Sequence, residues 1–131
     1  AVQADRAKDG IECDVRQSAD GVPVVIHDAT LDRTTDRTGA VAALPASELA
    51  RVDATCRFQP AADVVRPTPR DGIVPLAEVL HAFPRARFIV EVKDDSPTLA
   101  TAVADVVRRA EAGGRVCIGS FHRPVALTGK A

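Results

Sequence analysis

The chain has 131 residues and a formal net charge of −1, with 46% hydrophobic and 27% charged residues. This balance is typical of a folded globular domain, and it disfavours both extended disorder and the basic surface that nucleic-acid binding needs. No apolar run reaches the roughly 18 residues of a membrane span, and no secretory signal is recognisable.

The N-terminal segment predicts a helix followed by a strand. Residues 1–8 are rich in alanine and compatible with a helix, and the Asp-Gly pair at 9–10 is suited to end it. Residues 11–15 then alternate between apolar and polar side chains, which is the period of a strand with one buried face. The polar face of this strand carries Glu12 and Asp14.

A hairpin is predicted directly after this strand. Asp20-Gly21 is a signal for a two-residue turn, and the apolar run 22–26 supplies the returning strand. With a two-residue turn, Asp14 lies directly opposite His27, and their Cβ atoms are expected to be about 5 Å apart. The sequence therefore predicts an imidazole beside the carboxylates.

The rest of the chain predicts an insertion followed by alternating helices and strands. From residue 29 to residue 74 the pattern loosens, and we interpret 29–74 as an insertion that contains one short helix over 45–52. Four regular elements follow the insertion: a helix over 75–83, a strand over 87–93, a helix that begins after Ser96 and ends at Gly113-Gly114, and a strand over 115–121. This alternation of helices and strands predicts a parallel sheet.

Charged side chains interrupt two of the predicted parallel strands near their C-terminal ends. Glu12 and Asp14 lie on the first strand, and Glu91 and Lys93 lie on the next. Such strands normally read as continuous apolar runs, and a carboxylate buried there costs on the order of several kcal/mol unless a cation or proton compensates. Three carboxylates together with His27 suit a hard divalent cation and a proton-transfer group.

Each of these signals also has a purely structural explanation. A Glu-x-Asp pair is commonly the solvated face of an edge strand, and a His-Asp pair is common where a turn begins. Glu91 and Lys93 can form a surface ion pair worth under about 1 kcal/mol. Cys13 lies between the two strand carboxylates and points to the opposite face, so we expect it in the core. The functional interpretation depends on the motifs occurring together.

Four segments carry the strongest pattern in the sequence. The longest spans 10–41 and reads GIECDVRQSADGVPVVIHDATLDRTTDRTGAV. The later segments VPLAEVL, IVEVK and IGSF follow in order, and the pattern extends to Phe121. Together they resemble the glycerophosphodiester phosphodiesterase family, and the block from Glu-x-Asp through His-Asp to D-x-T-L-D-R-T-T is the most specific part of the resemblance.

The resemblance implies an α/β fold: a partial TIM (β/α)8 barrel of the PLC-like phosphodiesterase type. Residues 1–131 would form this partial barrel, with the 29–74 insertion between its second and third strands. The implied reaction hydrolyses a small-molecule glycerophosphodiester to sn-glycerol 3-phosphate and an alcohol. Neither the alcohol nor the choice between Mg²⁺ and Ca²⁺ follows from the sequence.

The resemblance also implies a role for each polar residue of the two strands. Glu12, Asp14 and Glu91 would hold Mg²⁺ or Ca²⁺, and Lys93 would lie near the substrate phosphate. His27 would be one of two catalytic histidines. The other belongs to a His-Arg-Gly segment at the end of the first barrel strand, and this chain begins after that point.

The length of the chain sets the alternatives. A (β/α)8 barrel typically needs about 250 residues, so we expect a fragment of roughly half a barrel that is inactive alone. One alternative is a non-catalytic remnant or partner-binding module. Another is a related barrel phosphodiesterase that acts on phospholipid head groups, although the D-x-T-L-D-R-T-T segment favours the glycerophosphodiester type.

The cysteines and the N-terminal residues give predictions about the cellular compartment of the protein. The three cysteines, at 13, 56 and 117, are odd in number and far apart, which predicts buried, reduced thiols. A cytoplasmic location is favoured because no signal peptide is visible, but the true N-terminus is open. We expect no nucleic-acid partner, and the oligomeric state is open.

Overall fold

Alternating strands and helices build one mixed sheet with helices against one of its faces. The computed structural model describes residues 2–5, 10–54, 72–93 and 96–120. Its elements, in chain order, are β1 (Val2–Asp5), β2 (Gly10–Gln17), β3 (Pro23–Val25), α1 (Ala46–Leu49), α2 (Leu76–Ala82), β4 (Arg87–Val92), α3 (Pro97–Arg109) and β5 (Val116–Ser120).

The sheet has a parallel centre. β2 pairs with β4, and β4 pairs with β5, in both cases in the parallel direction. α2 precedes β4 in the connection from β2, and α3 connects β4 to β5. β1 and β3 both pair with β2 in the antiparallel direction. The parallel sheet predicted from the alternation of elements is therefore confirmed.

The N-terminal helix predicted over residues 1–8 is wrong for the residues that the structure describes. Residues 2–5 form β1, which pairs with β2 so that Gln3 lies opposite Glu12. Alanine-rich composition is only a weak preference for helix. Here the ladder of hydrogen bonds available at the edge of β2 determines the conformation instead.

One face of the sheet is buried beneath α2 and α3. The alternation predicted in β2 and β4 is confirmed, because alternate residues of each strand lie on this covered face: Ile11, Cys13 and Val15 of β2, and Phe88, Val90 and Val92 of β4. On the opposite face, Ile89 is 52% exposed, so the described residues leave that face open. Burial of each large apolar side chain contributes about 1.5–3 kcal/mol. The core includes Ile11, Cys13, Val15, Leu80, Phe88, Val90, Val92, Leu99 and Val103.

The segment between β3 and α2 has a small core of its own. Val24 and Ile26 of the hairpin pack there with Leu31, Leu49 and neighbouring apolar residues. α1 is shorter than the helix predicted over 45–52, because Pro45 is its N-cap and the helix ends after one turn. The structure describes residues 29–54 and 72–74 of this segment, and its status as an insertion stays a prediction.

α3 begins as the sequence predicts but ends earlier. Ser96 Oγ accepts a hydrogen bond of 3.3 Å from the Leu99 N–H. The predicted stop at Gly113-Gly114 is wrong, because the helix ends at Arg109. Glu111 follows with φ of +53°, a left-handed conformation that non-glycine residues rarely adopt.

We expect Glu111→Gly to raise the free energy of unfolding by about 0.5–1 kcal/mol, because glycine adopts positive φ without a steric cost. Denaturant titration measures the change. Glu111→Gln separates the effect of charge at the helix C-terminus and should give only a small part of the gain. Glu78→Gly, inside α2, should destabilise by a similar amount. Destabilisation by both glycine variants would contradict the prediction.

Arg115, which directly precedes β5, forms hydrogen bonds with the C-terminal end of α2 and the residues that follow it. Its guanidinium donates hydrogen bonds to the carbonyl oxygens of Leu80 at 3.2 Å, Phe83 at 3.0 Å and Ala86 at 2.9 Å. It also lies 5.6 Å from the centre of the Phe88 ring. The last carbonyls of a helix lack partners within the helix, and a cation there also complements the helix dipole.

Replacing Arg115 by alanine is expected to lower the free energy of unfolding by about 1–3 kcal/mol, because hydrogen bonds from a charged donor are lost. Arg115→Lys should recover only part of this, since an ammonium lacks the planar fork of donors. Arg109 is the matched control: its exposed pair with Asp105 should be worth under about 1 kcal/mol. Equal effects of Arg115→Ala and Arg109→Ala in thermal unfolding would refute the assignment.

Candidate active site

A pocket of about 420 Å³ lies at the C-terminal ends of β2 and β4, on the face of the sheet opposite the helices. The C-terminal ends of parallel strands are where open α/β sheets and barrels bind ligands. All five polar residues singled out from the sequence line it. The side chains that define the pocket are Glu12, Asp14, His27, Arg33, Ile89, Glu91 and Lys93.

The register between β2 and β4 places the carboxylates on one wall of the pocket. Asp14 lies opposite Glu91, and Glu12 lies opposite Ile89 one step earlier on the same face. Successive side chains of a strand point to opposite faces, so the core residues between these carboxylates point away. Burial of the Cys13 side chain on that other face raises the pKa of its thiol to about 11, as expected for a core cysteine.

Lys93 lies between two of the carboxylates. Its backbone N–H donates to the Val15 carbonyl at 3.1 Å, which continues the pairing of the strands. The ammonium lies 3.6 Å from Asp14 Oδ1 and 3.8 Å from Glu91 Oε1, and the side chain is only 5% exposed. The Glu91–Lys93 contact is therefore not the solvated surface pair considered as an alternative.

The predicted register of the hairpin is wrong by one residue. Val15 pairs with Val25, and the Ile26 N–H donates to the Asp14 carbonyl at 3.0 Å, so Asp14 faces Ile26 rather than His27. The loop has three residues and ends at Gly21, which adopts φ of +82°. His27 nevertheless lines the pocket, because β3 ends at Val25 and strict alternation does not extend to it.

His27 is held through both its backbone and its ring. Arg16 Nε donates to the His27 carbonyl at 2.8 Å, and His27 Nδ1 lies 2.8 Å from Asp28 Oδ1. Arg33 completes the group, with Nε 2.7 Å from Asp28 Oδ2 and a terminal nitrogen 2.9 Å from Oδ1. The hydrogen bonds from Arg33 and then from His27 hold the pKa of Asp28 well below its usual range.

Sequence reasoning missed Arg33 and the bridging role of Asp28. The available signal was the spacing of the two residues in the D-A-T-L-D-R stretch, but it served only as a mark of family resemblance. A carboxylate and a guanidinium five residues apart meet only if the intervening chain turns back. The loop that produces this turn could not be read from any periodicity.

The carboxylates of the pocket have the chemistry that Mg²⁺ and Ca²⁺ require, because both ions prefer oxygen ligands. Within the described ranges, however, no group of three or more His, Cys, Asp and Glu side chains is arranged so that it could hold a metal ion. The ammonium of Lys93 instead lies near Asp14 and Glu91. The chemistry of these donors fits a divalent cation but their arrangement in the described residues does not, and the ligand role of Glu12, Asp14 and Glu91 stays a prediction.

Two further expectations have outcomes in the structure. Cys117 is exposed, so the prediction that all three cysteines are buried is wrong. It lies opposite Ile89 on the open face of the sheet, and Cys56 falls outside the described residues. In the part of the chain that is described, no helix has the length and apolarity to cross a membrane.

Comparison with known sequences gives one consistent result. Residues 3–120 match the model of the glycerophosphoryl diester phosphodiesterase family. The chain is 32% identical over 119 residues to a glycerophosphodiester phosphodiesterase of Caldanaerobacter subterraneus. The aligned region covers 87% of this chain and 46% of that protein. It is also 32% identical over 120 residues to the Bacillus altitudinis enzyme of the same name, with the same coverage.

Solved structures agree with the sequence matches. A glycerophosphodiester phosphodiesterase from Agrobacterium tumefaciens superposes with a TM-score of 0.70 at 38% identity, over 86% of this chain and 46% of that one. An Oleispira antarctica phosphodiesterase was solved with the product sn-glycerol-3-phosphate. It superposes with a TM-score of 0.66 at 23% identity, over 90% of this chain and 47% of that one. The predicted partial TIM barrel is confirmed, and the chain spans about half the length of these relatives.

Proposed function

The chain belongs to the glycerophosphoryl diester phosphodiesterase family, and from that premise we propose that it forms the metal-binding side of a phosphodiesterase active site. The proposed reaction is metal-dependent hydrolysis of a glycerophosphodiester to sn-glycerol 3-phosphate and an alcohol. One observation carries the proposal: carboxylates, an ammonium and an imidazole line one pocket at the C-terminal ends of two neighbouring parallel strands. The product bound to the Oleispira antarctica protein, which shares the fold, supports the class of substrate.

In this proposal Glu12, Asp14 and Glu91 hold Mg²⁺ or Ca²⁺. When bound, the cation supplies Lewis-acid stabilisation of the charge that develops on the phosphoryl oxygens. Lys93, whose ammonium lies 3.6 Å from Asp14 and 3.8 Å from Glu91, carries a second positive charge at the same wall. Its ammonium neutralises phosphate charge on the wall of the pocket that β2 and β4 form, where the other charged groups are carboxylates.

His27 is the proton-transfer group in the proposal. An imidazole can exchange a proton with the attacking or the leaving oxygen near neutral pH. His27 is the one histidine that the described residues bring to the pocket, since His81 lies exposed on α2. The second catalytic histidine implied by the family resemblance belongs to the upstream His-Arg-Gly segment, so we expect negligible turnover from the 131 residues alone.

A chimera tests the proposal. Residues 10–120 would replace the matching half of the Agrobacterium tumefaciens relative, which then supplies the rest of the barrel, including the upstream segment in which the family resemblance implies the second histidine. We expect the chimera to release sn-glycerol 3-phosphate from glycerophosphocholine or a related glycerophosphodiester, and to lose activity when EDTA removes divalent cations. His27→Ala should also abolish activity, while His81→Ala, a change on the exposed face of α2, should not.

A folded chimera that hydrolyses none of these substrates would favour the alternative of a non-catalytic, partner-binding module. That alternative draws on the open face of the sheet, where Ile89 and Cys117 are exposed. The two residues lie opposite each other on neighbouring strands, and contiguous exposed apolar surface commonly marks a site that a partner or another part of a protein covers. Circular dichroism of the chimera establishes that loss of activity does not reflect loss of fold.

A further inference from the structure

The orientation of the His27 ring is determined by its neighbours rather than by burial. The side chain is 57% exposed, so core packing does not restrict it. An exposed side chain with two free torsions samples several staggered conformations. Here the Arg16 contact fixes the backbone carbonyl and the Asp28 contact fixes Nδ1, each at 2.8 Å.

The hydrogen bonds of Asp28 determine which ring nitrogen carries the proton. Arg33 donates to both carboxylate oxygens, and Oδ1 is also in contact with His27 Nδ1. An ionised carboxylate can only accept hydrogen bonds, so Nδ1 has to donate. The low pKa of Asp28 supports its ionised state at neutral pH. In the neutral ring the lone pair then lies on Nε2.

Arg33 is itself held by the loop that follows His27. Leu31 is fully buried in the small core, and the buried Thr35 hydroxyl donates to the Leu31 carbonyl at 2.7 Å. Asp32 Oδ1 accepts from the Gly39 N–H at 3.0 Å and closes the loop. Leu31, Asp32 and Thr35 belong to the same L-D-R-T-T stretch as Arg33. The stretch therefore builds a fixed support for one guanidinium.

We propose that Asp28 and Arg33 are positioning residues, which hold His27 in one orientation and as the Nδ1-protonated tautomer. Arg33 orients the carboxylate of Asp28, and the carboxylate orients the imidazole. Neither residue has to touch substrate. The consequence for catalysis rests on the proposed function: Nε2 is the nitrogen left to exchange a proton with a substrate oxygen.

The tautomer can be measured directly on the 131-residue chain. Two-bond ¹H–¹⁵N correlation spectra distinguish a protonated from an unprotonated ring nitrogen, and they do not depend on activity. At a pH where the imidazoles are neutral, we expect His27 to carry its proton on Nδ1. His81, exposed on α2, serves as the internal reference, because its ring has no such partner among the described residues.

Asp28→Asn should reverse the tautomer. The introduced amide has one oxygen for Arg33 and presents its N–H₂ to His27 Nδ1, which must then accept, so the proton moves to Nε2. We expect the tautomer ratio to change by about tenfold or more. Arg33→Gln should give an intermediate ratio. Asp32→Asn, which changes a carboxylate of the same loop without contact to His27, should leave the ratio unchanged.

A His27 spectrum that matches the His81 reference, or an unchanged ratio in Asp28→Asn, would overturn the proposal. An Arg33→Gln ratio equal to that of the parent chain would remove Arg33 from it. In an active chimera, Asp28→Asn should lower kcat by about 10²–10⁴-fold with little change in KM. An inactive chimera with the expected spectra would refute the phosphodiesterase function and leave the positioning role standing.

Discussion

Glu12→Gln in the chimera is expected to lower kcat/KM by about 10³-fold and to remove its response to divalent cations. The amide retains the size of the side chain but loses the charge that a hard cation requires. Because Glu12 faces the pocket from β2 on the same wall as Asp14 and Glu91, the loss should appear in metal binding as well as in turnover. Isothermal titration with Mg²⁺ and with Ca²⁺ measures the first, and release of sn-glycerol 3-phosphate measures the second.

Glu78→Gln provides the matched control for this substitution. Glu78 lies on the exposed side of α2, away from the pocket, so the same change of charge should leave both readouts unaltered. Activity in Glu12→Gln with an unchanged metal requirement would remove Glu12 from the ligands. A loss of activity with unchanged metal affinity would place Glu12 against substrate instead of the ion.

The parts of this fold that could be predicted are those determined by local pattern. The alternation in β4 and the N-cap of α3 involve neighbouring residues, so the sequence contains the whole signal. The pocket wall followed from these strands, because adjacent parallel strands bring their C-terminal ends to one edge of a sheet. Placing Glu12, Asp14 and Glu91 together required only that these two strands be neighbours, which the alternation of strands and helices predicts.

The register of the hairpin could not be predicted for a specific physical reason. Asp-Gly is compatible with both two-residue and three-residue loops. The Ser18 side chain selects the longer one, since its hydroxyl accepts the Val22 N–H at 3.0 Å. A slip of one residue changes every opposed pair, so Asp14 faces Ile26. His27 lines the pocket as predicted, although the prediction that it lies directly opposite Asp14 is wrong.

The contacts that sequence reasoning missed are those that link distant segments. Arg115 contacts carbonyl oxygens 29 to 35 residues earlier in the chain. β1 is a strand because β2 is its neighbour. Residues 2–5 do alternate between apolar and polar side chains, but four residues are too few for this pattern to exclude a helix. Such contacts depend on where the sheet places each element, and periodicity carries no information about that.

Lys93→Met is expected to lower the free energy of unfolding by about 1–3 kcal/mol. Removal of one partner from a fully buried ion pair costs more, about 3–5 kcal/mol, but Asp14 and Glu91 are 22% and 37% exposed and water screens part of the effect. Lys93→Arg retains the charge and should recover part of the loss. Arg87→Met is the control, because the exposed Arg87 begins the same strand. Equal loss in Lys93→Met and Arg87→Met would contradict the prediction.

A divalent cation should distinguish the two roles of Lys93. In the parent chain the ammonium partly neutralises the carboxylates that are proposed to hold the ion. In Lys93→Met those carboxylates have lost this cation, so millimolar Mg²⁺ or Ca²⁺ should restore stability to a greater degree than in the parent, because a ligand that binds only the folded state stabilises it. The restored fold should remain about 10²–10³-fold less active in the chimera, since the ammonium that neutralises phosphate charge is absent. Recovery of activity together with stability would show that Lys93 supports the fold and takes no part in the reaction.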